Sequence, residues 1–152
     1  MTDNFEYHNV VNILMFNDKG ELALQMRSSD DKSFPNHWDY SAGGHIDNGE
    51  TSDIAAKREM FEEIGVDAKP IFVSKVQFKY QAWNSTIMRL VDAHIYKIIY
   101  SGIFKIDTIE VEKISFFSME KVQKMIDGGE KFHPEFLLTW NDKELMKLVC
   151  RE

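Results

Sequence analysis

The chain has 152 residues, of which 43% are hydrophobic and 28% charged, so we expect one globular domain over residues 1–152 with a sizeable core. The net charge of −7 argues against a nucleic-acid polymer as partner, because a phosphate backbone requires a basic protein surface. The charge is compatible with a small phosphorylated substrate whose negative charge is neutralised by bound metal ions.

The cysteine usage and the apolar runs predict the compartment. Cys150 is the only cysteine, which rules out an internal disulfide and favours a reducing environment. The opening sequence MTDNFEYHN lacks a basic stretch followed by an apolar run, so no signal peptide is expected. The longest apolar stretches are too short to span a bilayer. We therefore expect a cytoplasmic protein with no membrane partner.

The N-terminal third of the chain is predicted to consist of strands. Residues 10–16 and 21–26 are largely apolar and flank the turn sequence NDKG, in which the glycine permits a tight turn. The polar residues 28–36 predict a loop, and residues 37–42 predict a short strand that ends at a pair of glycines.

A helix is predicted next, with Thr51 or Ser52 as its N-cap and Gly65 as the left-handed residue that ends it. Apolar side chains recur along this helix at helical spacing. We expect three of them to face the core: Ile54, Phe61 and Ile64.

The second half of the chain is predicted to add three strands and two helices. Residues 71–81, 86–100 and 111–117 are rich in β-branched and aromatic side chains, which is typical of strands. Ser118 is a predicted N-cap of a short helix, and residues 134–149 predict one C-terminal helix that begins near its proline. Strands flanked by helices on both sides indicate an α+β sandwich.

The helix that ends at Gly65 carries three glutamates whose spacing is informative. Glu59, Glu62 and Glu63 lie three and four residues apart, so a helix places them on one face, where like charges destabilise it by a few tenths of a kcal/mol per pair. Hard divalent cations such as Mg²⁺ or Mn²⁺ prefer carboxylate oxygens and would relieve this repulsion. The alternative interpretation is a solvated acidic helix face.

The segment GHIDNGETSDIAAKREMFEEIGV resembles the signature of the Nudix hydrolases, G-x5-E-x7-R-E-U-x-E-E-x-G-U, in which U is a bulky apolar residue. Gly44 opens the segment, Val66 closes it, and no required position deviates. The resemblance implies the Nudix α/β/α sandwich, with a mixed central sheet and a loop–helix motif. It also implies a hydrolase that cleaves diphosphate bonds with the help of divalent cations.

The resemblance assigns roles within the motif. The glutamates Glu59, Glu62 and Glu63 are implied to bind the metal ions, and Glu59 or a neighbour is implied to activate the attacking water. Arg58 is implied to brace the motif by pairing with Glu50.

Two further metal contacts follow from the resemblance. The loop around Gly44 is implied to offer a backbone carbonyl to the metal, and Glu110 resembles the fourth acidic ligand of many relatives. Glu112 and Asp107 compete for that fourth position, and an exposed loop carboxylate remains an equally open interpretation of Glu110.

Candidate substrate contacts come from aromatic and basic residues near the expected site. Trp38 and Tyr80 are candidates for stacking on a nucleobase, although aromatic residues more commonly pack in a core. Arg89 is a candidate for contact with a substrate phosphate. The stretch GEKFHPEF resembles a segment that lines the pocket in some relatives, with His133 in place of a threonine.

The isopentenyl-diphosphate isomerases, which share the Nudix fold, are also similar to this chain. His8 and His45 stand where those enzymes have histidines, but Gly43 stands in place of their catalytic cysteine, and their acidic pair is replaced near Arg89. Isomerisation needs an acid and a base on opposite faces of a carbon skeleton, so hydrolysis is favoured.

The sequence therefore predicts an Mg²⁺- or Mn²⁺-dependent hydrolase that cleaves a phosphoanhydride bond in a small nucleoside-diphosphate-linked or related substrate. The alternatives are an isopentenyl-diphosphate isomerase and a non-catalytic module that senses a nucleotide. The resemblance also makes a homodimer possible, because many relatives form dimers.

Overall fold

The structure is a computed structural model that describes residues 5–151. No helix in this range is long and apolar enough to cross a membrane. The elements, in chain order, are β1 (Phe5–Phe16), β2 (Leu22–Arg27), β3 (Trp38–Asp39), β4 (Ala42–His45), α1 (Ser52–Ile64), β5 (Ile71–Gln81), β6 (Met88–Ile99), β7 (Val111–Phe117), α2 (Met119–Asp127), α3 (Pro134–Trp140) and α4 (Lys143–Val149).

The strands form one mixed sheet. Its main path runs β3-β2-β1-β6-β5, while β4 also pairs with β1 and β7 also pairs with β2. The central strands β1 and β6 are parallel along their whole length, from Phe5 beside Met88 to Phe16 beside Ile99. The other pairings are antiparallel. The predicted α+β class with a mixed central sheet is confirmed.

Strand β1 divides the core into two clusters, because successive side chains of a strand point to opposite faces of the sheet. Leu14 belongs to a cluster shared with α2, α3 and α4, whereas Ile13 belongs to a cluster shared with α1. Helices therefore cover both faces of the sheet, and Asn12 is a buried polar residue on the same face as Leu14.

Helix α1 packs against the sheet through a different stripe from the one predicted. Ile54 and Phe61 are 56% and 57% exposed, so the prediction that they face the core is wrong, whereas Ile64 is fully buried as expected. The buried face instead carries two alanines, which allow the helix to approach the sheet closely. Its buried members are Ala55, Ala56, Met60, Glu63 and Ile64.

The boundaries of the helices follow their caps. The Thr51 hydroxyl accepts a hydrogen bond from the Ile54 N–H at 3.2 Å, and Gly65 ends α1 with φ of 71°. The predicted single C-terminal helix is two helices, because Asp142 interrupts it and caps α4 by accepting from the Leu145 N–H.

The predicted strand over residues 37–42 is also divided, into β3 and β4. β3 pairs with β2, whereas β4 pairs with β1. Between them, the Ser41 hydroxyl accepts from the Met15 N–H and donates to the Ala23 carbonyl. These contacts direct the chain from one neighbouring strand to the other.

Candidate active site

Arg58 is the centre of the loop–helix motif. Its guanidinium donates two hydrogen bonds to Glu50, at 2.7 and 2.9 Å, and one to the His45 carbonyl at 3.1 Å. It also donates to Glu59 at 2.8 Å and to Glu62 at 3.1 Å. The bidentate pair with Arg58, together with the Asp47 N–H, lowers the pKa of Glu50 to about 2. Arg58 therefore ties the loop before α1 to two of the three glutamates on α1.

Glu59 packs directly against the glycine that opens the motif. A Cβ placed on Gly44 would lie 2.5 Å from Oε1 of Glu59, closer than atoms tolerate. A side chain at this position would displace the Glu59 carboxylate from its place between the loop and Arg58. The absence of a side chain on Gly44 is thus what lets the carboxylate reach the loop backbone.

Glu63 is a buried carboxylate at the edge of the site. It is 8% exposed, and its Oε1 accepts from the Gly43 N–H at 2.8 Å and from Gln25 at 3.4 Å. Burial raises the pKa of Glu63 well above its usual value, and repulsion from Glu59 and Glu110 adds to the shift. The negative charge of Glu63 is therefore poorly compensated by the surrounding protein.

Two other carboxylates nearby, Glu59 and Glu110, also have raised pKa values. Burial raises the pKa of Glu59, with repulsion from Glu62 and Glu110 and an opposing effect of Arg58. Burial also raises the pKa of Glu110, with repulsion from Asp107 and Glu62. Glu110 thus lies close enough to the glutamates of α1 to be influenced by their charge.

This donor set fits a hard divalent cation. All the side-chain donors are carboxylate oxygens, which Mg²⁺ and Mn²⁺ prefer, and a cation would compensate charges that now repel one another. Among residues 5–151, no three acidic, histidine or cysteine side chains already converge as a complete ligand set. Glu59 and Glu62 instead share the Arg58 guanidinium, so an ion would compete with Arg58 for them.

A cavity of about 290 Å³ opens beside Glu63. Gly43 and Gly44 line it together with Glu63 at the end near α1, and Glu135 and Tyr80 line it as well. Most of its other lining side chains are polar or titratable. They include Asn12, Gln25, Arg27, Asp39, Arg89 and His133.

Of the three predicted substrate contacts, Tyr80 and Arg89 line this cavity. The Arg89 Nη1 lies 3.5 Å from the Ser33 hydroxyl, and its Nε lies 3.6 Å from a Glu6 oxygen. The Nε is buried and has no hydrogen-bond partner among residues 5–151. Arg89 thus lines the cavity with only long contacts to Ser33 and Glu6, which is compatible with the predicted contact to a phosphate.

The prediction for Trp38 needs correction. This side chain is 6% exposed, packs edge-on against Phe117 with ring centroids 5.3 Å apart, and donates from its indole N–H to Glu130 at 3.1 Å. It does not line the cavity. Trp38 is a core residue of the α2–α4 side, because its ring fills the space under β7 and its polar atom already has a partner.

Sequence reasoning did not select Asn12, Arg27 or Glu135 as site residues, although all three line the cavity. Asn12 had a detectable signal, as a polar residue within the apolar strand β1. Glu135 lies in the stretch expected to line a pocket. Arg27 is held by Asp31 and Asp39, each at 2.9 Å, so its charge is already compensated within the protein.

The two histidines shared with the isomerases are in contact. Nδ1 of His8 lies 2.7 Å from Nε2 of His45, and burial lowers the pKa of His45, as does repulsion from His8 and Arg89. The position of the isomerase cysteine has no room for a side chain. A Cβ on Gly43 would lie 2.7 Å from the Val11 carbonyl oxygen.

Comparison with known proteins identifies the family to which the chain belongs. Residues 6–139 match the family model described as the NUDIX domain. The chain belongs to the Nudix family. An uncharacterised Nudix hydrolase of Listeria innocua is 35% identical over 141 residues, which cover 88% of this chain and 76% of that protein. An isopentenyl-diphosphate Delta-isomerase of Pectobacterium atrosepticum is 25% identical over 136 residues, covering 89% of this chain and 75% of that protein.

Solved Nudix structures share the fold over most of the chain. The MutT protein from Methanosarcina mazei superimposes with a TM-score of 0.77 at 23% identity, covering 99% of this chain and all of that one. The Nudix domain of Shewanella oneidensis NrtR, solved with ADP-ribose, gives a TM-score of 0.65 at 17% identity over 92% and 89% of the two chains. By the family model and the relative from Listeria innocua, the protein is a Nudix hydrolase, and the family generally acts on nucleoside diphosphate derivatives and uses divalent metal ions.

Proposed function

We propose that this Nudix hydrolase cleaves a phosphoanhydride bond in a small nucleoside-diphosphate-linked or related substrate, with Mg²⁺ or Mn²⁺ as cofactor. The observation that carries the proposal is the buried carboxylate of Glu63, which lines the cavity and is repelled by Glu59 and Glu110. A cation at this point would turn repulsion into coordination. The groups proposed to hold it are the carboxylates of Glu59, Glu62, Glu63 and Glu110 and the backbone carbonyl of Gly44.

A bound divalent cation supplies charge neutralisation at the phosphate oxygens and acidifies water. The protein itself fixes the positions of the glutamates that would hold the cation. Arg58, fixed by Glu50, holds Glu59 and Glu62 on one face of α1, and the Gly43 N–H holds Glu63. We assign proton removal from the attacking water to Glu59 or a neighbouring glutamate, and contact with a substrate phosphate to Arg89.

The proposal extends to the setting of the enzyme. We place the activity in one domain over residues 1–152, acting in the cytoplasm. Cys150 is a free, exposed thiol, which suits a reducing compartment.

Turnover of a panel of diphosphates tests the proposal. The wild type is incubated with ADP-ribose, UDP-glucose, diadenosine tetraphosphate and isopentenyl diphosphate in Mg²⁺, in Mn²⁺ and in EDTA, and the products are separated by chromatography. We expect hydrolysis of at least one nucleotide with either metal and none in EDTA. Glu63→Gln should abolish most of it, while Glu144→Gln, at an exposed residue of α4, serves as the matched control.

Two outcomes would contradict the proposal. Binding of a nucleotide without turnover of any compound would favour the sensing module. Dimethylallyl diphosphate as a product from isopentenyl diphosphate would favour the isomerase, which the lack of space at Gly43 argues against.

A further inference from the structure

Glu135 is a second buried carboxylate in the cavity. It lies in the first turn of α3 and is 8% exposed. Its Oε1 accepts a hydrogen bond from the Asn12 side-chain amide at 3.0 Å, and its Oε2 accepts one from the Tyr80 hydroxyl at 2.5 Å. A carboxylate offers about four acceptor positions, so roughly two remain for whatever occupies the cavity.

His133 places a hydrogen-bond donor beside this acceptor. Its Nδ1 accepts from the Glu135 N–H at 3.1 Å, so in the neutral ring the proton is on Nε2. Burial lowers the pKa of His133, which favours the neutral ring. Both His133 and Glu135 line the cavity. A bound molecule therefore meets an acceptor and a donor next to each other.

Asn12 connects this region to the proposed metal site. Its amide nitrogen donates to Glu135, while its Oδ1 would lie 2.8 Å from a Cβ on Gly43. The Gly43 N–H in turn donates to Glu63. The same cavity thus holds two buried carboxylates, Glu63 beside the proposed metal site and Glu135 beside Asn12 and Tyr80.

We propose that Glu135 is a specificity-determining residue, which selects diphosphates whose organic group presents a hydroxyl or amino hydrogen and rejects those with a hydrocarbon group. The inference rests on the proposed hydrolysis and adds the residue that selects the organic group of the substrate. A hydroxyl or amino group donates to the free acceptor positions of Glu135. A hydrocarbon would displace water from them and leave the carboxylate unsatisfied.

The size of the cavity agrees with a small polar group. Pockets for small molecules occupy roughly 300 to 1,000 Å³, so a cavity of about 290 Å³ lies at the small end of that range. Sites built to hydrogen-bond a substrate group discriminate strongly against analogues that lack it, because their own polar groups are then left unpaired.

The test compares two substrate classes in three proteins. kcat and KM are measured for ADP-ribose and UDP-glucose, which carry hydroxyls, and for isopentenyl diphosphate, which carries a hydrocarbon. The proteins are the wild type, Glu135→Gln and the control Glu144→Gln. The glutamine has nearly the same shape as glutamate but replaces one acceptor oxygen by a donor NH₂ group.

We expect the wild type to favour at least one hydroxyl-bearing compound over isopentenyl diphosphate by about 100-fold or more in kcat/KM. Glu135→Gln should lower kcat/KM for that compound by about 10-fold or more, mainly through KM, and change that for isopentenyl diphosphate by less than about 3-fold. Glu144→Gln should leave both values unchanged.

A purely structural role of Glu135 predicts something else, namely an equal loss for both classes. That result, or equal use of both classes by the wild type, would overturn the inference while leaving hydrolysis intact. If circular dichroism shows that Glu135→Gln is unfolded, Tyr80→Phe takes its place, because it removes one donor to Glu135. It should change the ratio of kcat/KM between the hydroxyl-bearing compound and isopentenyl diphosphate.

Binding separates a failure of this inference from a failure of the proposed function. Should no diphosphate be hydrolysed, the affinity for ADP-ribose is measured by calorimetry in Ca²⁺. Binding by the wild type that is weakened about 10-fold in Glu135→Gln would support the selecting role without hydrolysis. No binding of ADP-ribose to the wild type, or equal binding to both proteins, would overturn it.

Discussion

Glu63 and Glu135 are glutamates of equal burial, each 8% exposed, that line the same cavity from two different helices. Their partners differ. Glu135 accepts from a tyrosine hydroxyl and an amide, whereas Glu63 has one strong donor, the Gly43 N–H, and two nearby carboxylates that repel it. Burial alone therefore does not define the role of a carboxylate. Its neighbours make one suited to a cation and the other to hydrogen-bond donors.

The largest effect is expected at Glu63. Glu63→Gln should lower kcat with Mg²⁺ or Mn²⁺ by about 1,000-fold or more, because it removes a charged oxygen donor from the proposed metal site. The isosteric amide also relieves repulsion from Glu59 and Glu110, so stability without metal should stay equal or rise. Steady-state kinetics and urea unfolding check the two parts. Near-normal turnover would show that Glu63 is not an essential ligand.

A smaller loss is expected at Arg58. Arg58→Lys cannot reproduce the two parallel bonds to Glu50 together with those to Glu59 and Glu62, so we expect kcat to fall by about 100-fold and stability by about 1–3 kcal/mol. This change lies on the α1 side, so the ratio of kcat/KM between ADP-ribose and isopentenyl diphosphate should be unchanged. A shift in that ratio would show that the α1 side of the cavity also affects the choice of substrate, which contradicts separate roles for Glu63 and Glu135.

The two glycines of β4 provide a matched pair. A Cβ on Gly44 meets the flexible end of Glu59, whereas one on Gly43 meets the Val11 carbonyl of the backbone. Gly44→Ala should therefore lower turnover by about 10-fold with a stability change below about 1 kcal/mol. Gly43→Ala should destabilise by about 1–3 kcal/mol, since the sheet must shift. Thermal denaturation and kinetics on both variants distinguish these outcomes, and equal destabilisation would contradict them.

The smallest effect concerns pH. The pKa of Glu63 is raised above its ordinary 4.5 in the folded protein, so folding favours its protonated form. The stabilisation is complete below about pH 4.5 and is lost as the pH rises through the folded pKa. In EDTA, the melting temperature of the wild type should therefore decline more steeply above pH 4.5 than that of Glu63→Gln. Parallel profiles of the two proteins would contradict the prediction.

Local signals in the sequence predicted much of the fold. The caps of α1 and α2 were correct because a side chain that accepts from a nearby N–H is a short-range event. The strand residues 71–81 and 111–117 were also predicted with their observed bounds. The mixed sheet and the loop–helix motif were confirmed as well.

What the sequence did not predict depends on contacts between distant elements. Helical spacing identified Phe61 as part of an apolar stripe, but α1 packs on the sheet through the neighbouring stripe, which contains Ala55, Ala56 and Met60. The burial of Trp38 in the core could not be predicted, because its partners Phe117 and Glu130 are far away in the chain. The polar Asn12 stands out within an apolar strand, but its pairing with Glu135, 123 positions away, could not be predicted from either local sequence.

Strand β1 carries an apolar side chain on either side of Asn12, namely Val11 and Ile13, which point to the α1 core. A slip of one residue in the pairing of β1 with β6 would exchange the faces of all these side chains. Val11 or Ile13 would then face the cavity, and the amide of Asn12 would be buried in the apolar core on the α1 side. The register of β1 against β6 therefore determines both the packing of the α1 core and the side chain that the proposed selecting residue Glu135 pairs with.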